Sequence, residues 1–368
     1  MKKVIFNALL IAGGISLLIN CSDVEFTPLP SQACIDQNAQ DGSQCDVGEA
    51  GINQFYSKID ICKTDILFVV DNSGSMSTEQ EKMADKFPDF LSSIDHLNYQ
   101  IAVTTTDIYK DKGYLKTFGT NGPKYISKST SNKESLFRNN VKRQETIDCD
   151  NGYNSACATN DERGIYAANL AVVNASSRGN RGNFFRDDSH LAVVFLSDED
   201  VRGSGGRNGG EPLSSLDRPA SLINNVGAYL GTHKTMSAHP IVVTSQTCSQ
   251  MQLAQVSNSP FYSGDNRGLV YSEFASDASL KISGHLTNAK TGNICAGDYT
   301  NELDGIATGI ESSRKSTVLA CNPRNLEVRF AGQLLNINSD YKIDENNVLT
   351  LIRTNNCGEL EVSYDCGR

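Results

Sequence analysis

Two continuous apolar runs, each ended by acidic residues, constrain the fold of this chain more than any other feature. The run "DILFVV" at 65–70 is followed at once by Asp71, and "HLAVVFLSDED" at 190–200 places Asp198 where its apolar run stops. Short apolar runs without polar alternation are typical of strands covered on both faces. Such strands belong to parallel sheets with a layer of helices on each side.

Helical and strand-like segments alternate between and around these two runs. Beyond residue 77 the apolar residues follow the helical period, and Ser77 with Gln80 predicts a capping box at the start of that helix. Two of the remaining segments are predicted to be strands, at 100–107 and 239–244. Four are predicted to be helices, at 131–145, 162–176, 221–230 and 301–313. This order predicts an α/β domain with a doubly wound, mostly parallel sheet at residues 61–315.

The last fifty residues have a different pattern. Three segments alternate with period two and are separated by turn residues, "NLEVRFAGQLL", "YKIDENNVLTLI" and "GELEVSYDC". They predict a small all-β module at 316–368, which the alternating stretch "INQFYSKI" at 52–59 is a candidate to join. Apart from that stretch, residues 21–60 are polar and are interpreted as a tether with one small disulfide loop.

Residues 1–20 have the features of a targeting segment. Two lysines precede an apolar run that is shorter than the roughly 20 residues a membrane-spanning helix needs, which favours a signal peptide. The run ends in "LLINCS", which resembles a bacterial lipobox and makes Cys21 the lipid-modified residue. Ser22 after that cysteine resembles the signal for outer-membrane delivery, on either the cell-surface or the periplasmic face. An ordinary signal peptide and an uncleaved anchor are the alternatives.

The charge balance argues against nucleic acid as a partner. The chain has 33 basic and 43 acidic residues, and removal of 1–20 would take away two of the basic ones. Binding to a phosphate backbone needs a positive patch, and no long Lys/Arg run is present.

The cysteine count predicts an exported protein with disulfides. Of 11 cysteines, ten remain after Cys21, an even number. Closeness in sequence favours three pairs, and two further pairs are chosen from the rest: Cys34–Cys45, Cys149–Cys157, Cys357–Cys366, Cys248–Cys295 and Cys62–Cys321. Zinc is the rival interpretation, but no C-x-x-C or H-x-x-x-H spacing supports it.

The turn after the first apolar run carries a set of oxygen ligands. Asp71, Ser73 and Ser75 occupy alternate positions of an extended turn, so their side chains point the same way. Asp198 ends a neighbouring strand and brings a second carboxylate to the same edge of the sheet. Carboxylates and hydroxyls at close quarters suit Mg²⁺, with Mn²⁺ or Ca²⁺ as alternatives.

This arrangement resembles the von Willebrand factor type A (VWA) family and its metal-ion-dependent adhesion site. The family motif is D-x-S-x-S after the first strand, which Asp71, Ser73 and Ser75 match, with an acid matched by Asp198 and a Thr in a later loop. By resemblance, Thr159 in "CATNDERGIYAA" is that threonine. The stretch "TTTD" at 104–107 ends on the same face and offers groups that support the site.

The resemblance implies binding through a metal ion. A Glu or Asp of a protein partner would complete the coordination of the cation, as in an adhesin. A periplasmic assembly or scaffolding lipoprotein using the same site is the alternative. An enzyme is not expected, because the five histidines are scattered and neither an H-E-x-x-H nor a G-x-S-x-G motif is present.

Overall fold

The computed structural model describes residues 44–47, 53–150, 155, 157–159, 161–176, 184–202, 211–255, 266–352 and 356–367. Its strands, numbered along the chain, are β1 (Gln44–Val47), β2 (Asn53–Asp60), β3 (Lys63–Val70), β4 (Asn98–Thr105), β5 (Ile126–Ser127), β6 (His190–Leu196), β7 (Met236–Val242), β8 (Leu286–Ala289), β9 (Gly292–Asn293), β10 (Ser316–Val318), β11 (Arg324–Phe330), β12 (Gln333–Leu334), β13 (Tyr341–Ile343), β14 (Val348–Leu351) and β15 (Glu359–Cys366).

The helices lie mainly between the strands of the first part of the chain. They are α1 (Ser77–Ser93), α2 (Lys133–Val141), α3 (Gln144–Asp150), α4 (Gly164–Val173), α5 (Pro219–Leu230), α6 (Gln246–Gln255), α7 (Leu269–Ser276) and α8 (Thr300–Ser313). Among the described residues, none of these helices is both long and apolar enough to cross a membrane.

The central sheet has the strand order β5-β4-β3-β6-β7-β8, with β9 also beside β7. Its described pairings are parallel except for that of the two-residue strand β5. Strand β3 lies in the middle. The chain adds β4 on one side and then crosses to add β6, β7 and β8 on the other. This is a doubly wound α/β fold, and the predicted fold class is confirmed.

Helices cover both faces of this sheet, which explains the continuous apolar runs. Phe68 and Val70 of β3 pack in a core with residues of α1, α2 and α8. Leu67 and Val69 point the other way, into a core shared with α4, α5 and α7. Successive side chains of a strand face opposite sides, so a strand covered on both sides must be apolar at every position.

The C-terminal module consists of two antiparallel sheets, in the orders β1-β2-β15-β11-β12 and β10-β14-β13. Strand β2 pairs with the last strand along its whole length, from Glu359 opposite Asp60 to Cys366 opposite Asn53. The pairing of 52–59 with the C-terminal module, suggested by the sequence, is therefore confirmed, and part of the segment 21–60 belongs to a sheet. A third core fills this module.

The predicted capping box at α1 is wrong. The residue before the helix is Met76, and no side chain caps the helix there. Gln80 instead donates from Nε2 to the backbone oxygen of Asp71 at 2.8 Å and to Thr146 Oγ1 at 2.9 Å. Ser77 donates to Asp150 at 2.8 Å. Helix α3 packs against this turn, so both side chains have tertiary partners that the sequence pattern does not reveal.

Two of the predicted disulfides are confirmed and two are wrong. Cys149–Cys157 and Cys248–Cys295 are present. The pairs Cys62–Cys321 and Cys357–Cys366 are replaced by Cys62–Cys357 and Cys321–Cys366. The cause is the register of β15, whose start lies beside the end of β2 and whose end lies beside the start of β11. The predicted bridge Cys34–Cys45, the segment 1–20 and the lipobox cysteine Cys21 fall outside the residues whose side chains are described.

Two histidines are buried beside each other in the central sheet. His190 places its two ring nitrogens 2.9 Å from the hydroxyls of Thr235 and Ser237, and His239 Nε2 lies 2.9 Å from the same Ser237 hydroxyl. Burial lowers the pKa of His239 to about 3 and holds the pKa of His190 well below its usual value. Both rings are therefore neutral in the folded protein at neutral pH.

We predict that His239 makes the fold sensitive to acid. As the pH falls through 6.5, the usual pKa of histidine, residue 239 of the unfolded chain takes up a proton. In the folded protein His239 stays neutral until the pH approaches its lowered pKa of about 3. Stability is therefore full above pH 6.5 and falls as the pH is lowered, by up to about 1.4 kcal/mol per pH unit for one group. The free energy of unfolding, measured with urea in EDTA at pH values between 7 and 5, should fall less steeply with decreasing pH in His239→Asn than in the native protein. The difference in this pH slope should be about the amount given above. Equal slopes in the two proteins would contradict the prediction.

Candidate metal site

The parallel register of the two central strands brings the predicted acids together. Val70 of β3 lies opposite Leu196 of β6, and the Asp71 N–H donates to the Leu196 oxygen at 2.9 Å. Asp71 and Asp198 therefore leave adjacent strands at their carboxyl ends, where the chain order reverses. Ligand sites of doubly wound sheets form at this position.

Asp71 is fully buried and is held by hydroxyl and amide donors. Its Oδ1 accepts from the backbone N–H of Ser73 at 2.9 Å, and its Oδ2 accepts from the Ser197 hydroxyl at 2.7 Å. The Thr106 hydroxyl also bonds to this carboxylate. Burial nevertheless raises the pKa of Asp71, and the hydrogen bonds offset this only in part. The side chain is fixed in place while its charge is left uncompensated.

Ser73 and Ser75 lie on the turn that joins β3 to α1, with their hydroxyl oxygens 3.2 Å apart. The turn continues as one turn of 3₁₀ helix, Gly74–Met76. A Cβ at Gly74 would lie 3.1 Å from the backbone of Cys149, a tighter contact than most, so glycine favours the close approach of α3. The turn is thus clamped between the sheet and the segment that carries the Cys149–Cys157 bridge.

Asp198 has a buried carboxylate oxygen that is available to a ligand. The residue is 2% exposed, and its Oδ1 is buried with no hydrogen-bond partner among the described residues. Burial and the nearby charge of Asp71 raise the pKa of Asp198 well above its usual value, while a hydrogen bond from Ser75 lowers it. A buried acid oxygen without a partner costs folding free energy unless something else binds it.

Thr159 lies in the loop before α4, where it is bonded to Asp107, just after the end of β4. Its backbone N–H donates to Asp107 Oδ2 at 3.1 Å, and Asp107 Oδ1 accepts from the N–H groups of Tyr109 and Lys110. The Cys149–Cys157 bridge closes the loop two residues before Thr159. Its Oγ1 is buried and, within the described part of the chain, has no partner. Thr159 therefore offers a second buried oxygen without a hydrogen bond.

The stretch 104–107 supports the site through two of its residues. Thr106 bonds to Asp71 and Asp107 holds the backbone of Thr159, as described above. The Thr105 hydroxyl donates to Asp111 at 2.6 Å and accepts from the Asp107 N–H at 3.3 Å, so its bonds are with these residues and not with Asp71.

The sequence did not predict a role at the site for two further residues, Ser197 and Glu162. Ser197 directly precedes Asp198 and bonds to Asp71. Glu162 is 4% exposed, and the charges of Glu199, Asp71 and Asp198 add to the effect of burial in raising its pKa well above the usual value. Glu162 forms a backbone bridge with Asp107, a long-range contact without a sequence signal.

The donor set fits a hard divalent cation. It comprises the carboxylates of Asp71 and Asp198 with the hydroxyls of Ser73, Ser75 and Thr159, and oxygen ligands of this kind suit Mg²⁺, Mn²⁺ or Ca²⁺. The orphaned oxygens of Asp198 and Thr159 supply the independent sign of a ligand. Across the residues that the structure describes, no three His, Cys, Asp or Glu side chains are placed to hold a metal, so hydroxyls are needed to complete the set.

No protein-family model matches the chain, and no curated protein shows a significant match. Solved structures that it resembles include the open form of the pilus adhesin SpaC from Lactobacillus rhamnosus GG, with 12% identity and a TM-score of 0.29 over 88% of this chain and 42% of that one. Manganese-loaded TRAP protein of Plasmodium vivax matches with 11% identity and a TM-score of 0.29, over 85% and 97% of the two chains.

Proximal thread matrix protein 1 of the mussel byssus matches with 12% identity and a TM-score of 0.31, over 69% of this chain and 49% of that one. The chain thus spans less than half the length of the adhesin and the thread protein. A likeness at this level assigns neither a family nor a function.

We predict that Asp198→Asn stabilises the metal-free protein. The substitution replaces an acid whose charged form is disfavoured by burial and by Asp71, and it keeps the size of the side chain, so the free energy of unfolding in EDTA should rise by about 1–2 kcal/mol. Stabilisation by added Mn²⁺ should be lost in the same variant, because a ligand is gone. Thermal and urea unfolding measure both effects. Asp304→Asn, on the exposed side of α8, is the matched control and should behave as the native protein.

Proposed function

We propose that this protein is a VWA-type, metal-dependent adhesion lipoprotein that binds an acidic residue of a protein partner. One observation carries the proposal. Asp71 and Asp198 follow adjacent strands at the carboxyl edge of the sheet, and the buried oxygens Asp198 Oδ1 and Thr159 Oγ1 have no partner among the described residues. A cation held there would supply a Lewis-acidic position for a carboxylate.

The chain's own residues define how such a site works. Asp71, Ser73 and Ser75 present their oxygens from a turn that is fixed by hydrogen bonds before any ligand arrives. Two ionised aspartates balance the charge of a divalent ion, so a partner's carboxylate meets no net repulsion from them. A pre-formed site of this kind loses little conformational entropy on binding.

The surroundings of the site favour binding over catalysis. A hydrolase that used histidine as its general base would need one beside the cation. His190 and His239 lie in the core of the sheet, and His96 pairs with Glu311 at 2.9 Å. We therefore propose a binding protein and not an enzyme.

We predict that partner capture depends on the metal and on Asp71. In a pull-down from cell-envelope extract with Mg²⁺, the native protein should retain a protein that is lost in EDTA and with Asp71→Ala. Removal of a carboxylate ligand should weaken binding of the metal by about 100-fold or more, and the partner with it. Asp304→Ala should retain the partner, and replacing Mg²⁺ by Mn²⁺ or Ca²⁺ identifies the preferred ion.

A partner retained equally by Asp71→Ala would contradict this proposal. If the retained protein carries no acidic residue whose substitution weakens binding, the role assigned to the partner's carboxylate is wrong, even where the metal is needed.

We further propose attachment to the outer membrane through a lipid on Cys21, on the basis of the lipobox-like "LLINCS". Radiolabelled palmitate should be incorporated into the native protein in a bacterial host and not into Cys21→Ala, which should be found in the soluble fraction. Lipid on the Cys21→Ala chain would count against this assignment. Protease added to whole cells should degrade a surface adhesin and spare the periplasmic scaffolding lipoprotein that is the alternative.

A further inference from the structure

The backbone of Asp198 is held by two buried side chains that lie outside the proposed ligand set. Its N–H donates to Met76 Sδ at 3.3 Å, and its oxygen accepts from Asn266 Nδ2 at 2.9 Å. Met76 is fully buried, and Asn266 is 6% exposed. Both backbone polar groups of Asp198 therefore have partners, whereas its carboxylate Oδ1 has none among the described residues. The orientation of that carboxylate depends on how its backbone is held.

The side chain of Asn266 is itself fixed by Ser249 of α6. The Ser249 hydroxyl donates to Asn266 Oδ1, and Ser249 is fully buried. The backbone oxygen of Asp198 can only accept a hydrogen bond, so the NH₂ group of Asn266 must face it. Because Oδ1 is bonded to Ser249 at the same time, the amide has one orientation in which both bonds form. An ionised aspartate of the same size could not make both.

The segment that carries Asn266 is tied to the central sheet and to the loop after β6. The Gly268 N–H donates to the Val243 oxygen at 2.9 Å, directly after β7. Two N–H groups at the start of α7 donate to the Asp200 carboxylate at 3.1 Å. The loop after β6 is thus held at two points, by Asn266 at Asp198 and by the start of α7 at Asp200.

Helix α6 gives Ser249 a fixed position. Gln252, three residues beyond Ser249 and 4% exposed, donates from Nε2 to Glu79 Oε1 of α1 at 3.1 Å. The Cys248–Cys295 bridge joins the helix to the loop after β9. Helix α1 continues the D-x-S-x-S turn, so the segments that carry the two parts of the ligand set are joined through α6.

We propose that Asn266 is a positioning residue of the metal site: its amide, held by Ser249, fixes the backbone of Asp198 and thereby the direction of the Asp198 carboxylate. The inference rests on the proposed function. Asn266 is not a ligand of the cation, and its effect reaches the site only through Asp198. Removal of residues that hold a metal ligand in place typically weakens metal binding by about 10- to 100-fold.

Asn169 of α4 is a matched comparison for Asn266. It is fully buried, its Nδ2 donates to the Leu216 oxygen at 2.8 Å, and its Oδ1 accepts from Asn225 Nδ2 at 2.8 Å. Its Nδ2 also lies 3.2 Å from the Ile165 oxygen of its own helix. Like Asn266, it joins a backbone oxygen to a side-chain donor, but none of these partners belongs to the ligand set. Loss of either amide should therefore lower the stability of the fold by a similar amount.

The test measures the Mn²⁺ affinity of the full-length protein by calorimetry and its stability in EDTA by urea unfolding. Asn266→Ala should bind Mn²⁺ at least about tenfold more weakly than the native protein, whereas Asn169→Ala should stay within about twofold. Because both variants should lose similar stability, a general loosening of the fold would not produce this difference. Ser249→Ala frees the Asn266 amide without removing its bond to Asp198, and it should weaken Mn²⁺ binding to a smaller extent.

The double variant Asn266→Ala/Ser249→Ala separates positioning from unrelated damage. Ser249 acts through Asn266, so the double variant should bind Mn²⁺ no more weakly than Asn266→Ala alone. If the two single effects multiply instead, the connection from Ser249 through Asn266 to Asp198 is wrong.

An unchanged Mn²⁺ affinity in Asn266→Ala, or an equal loss in Asn169→Ala, overturns the inference. If Asn266→Ala does not fold in EDTA, the smaller substitution Ser249→Ala decides: weaker binding supports the inference and unchanged binding overturns it. A native protein that binds no Mn²⁺ overturns the proposed function itself. Native binding that the variants match overturns only the role of Asn266, so the two failures are distinguishable.

Discussion

The structure depends on two aspartates buried side by side at the ends of neighbouring parallel strands. Asp71 and Asp198 take part in none of the ion pairs formed by the described residues, and burial raises the pKa of both. Two buried acids without an ion pair cost folding free energy when both are ionised, so either protonation or a bound cation would stabilise this arrangement. The divalent cation proposed above would pair with both charges at once and would contact the buried Oδ1 of Asp198, which has no hydrogen-bond partner among the described residues.

The elements around the acids serve to keep them in place. Gln80 bonds to the backbone of Asp71, and Asp107 holds the loop that carries Thr159. Gly74 lets α3 lie directly on the turn, and a disulfide ties the end of that helix to the next loop. Each of these contacts holds a loop in place, although loops are normally mobile. The ligand oxygens are therefore positioned by the fold, as expected of a site that binds without a large rearrangement.

The sequence predicted the local features of this protein and missed those set by distant contacts. The apolar runs predicted the buried strands, and D-x-S-x-S predicted the turn. Both predictions succeeded because each pattern depends only on residues that are close together in the sequence. The predicted capping box is wrong because Gln80 donates a hydrogen bond to Thr146, which is 66 residues away in sequence. The pairing of Cys62 with Cys357 spans 295 residues and follows from the register of β15, which no local pattern reveals. Glu162 has no motif at all, and only its bridge to Asp107 places it at the site.

The C-terminal module and the candidate metal site lie at opposite ends of β3. It joins the central sheet at the start of β3, where Cys62 is bridged to Cys357 and the buried Arg314 donates to the Ile61 oxygen at 3.0 Å. The metal site lies at the opposite end of the same strand. Eight residues of strand at 3.3 Å each separate the two by roughly 25 Å. The chain from Cys21 enters the described structure at β1, which pairs with β2 in the module. The proposed lipid anchor is therefore attached on the side of the module, and the candidate metal site lies at the far end of β3.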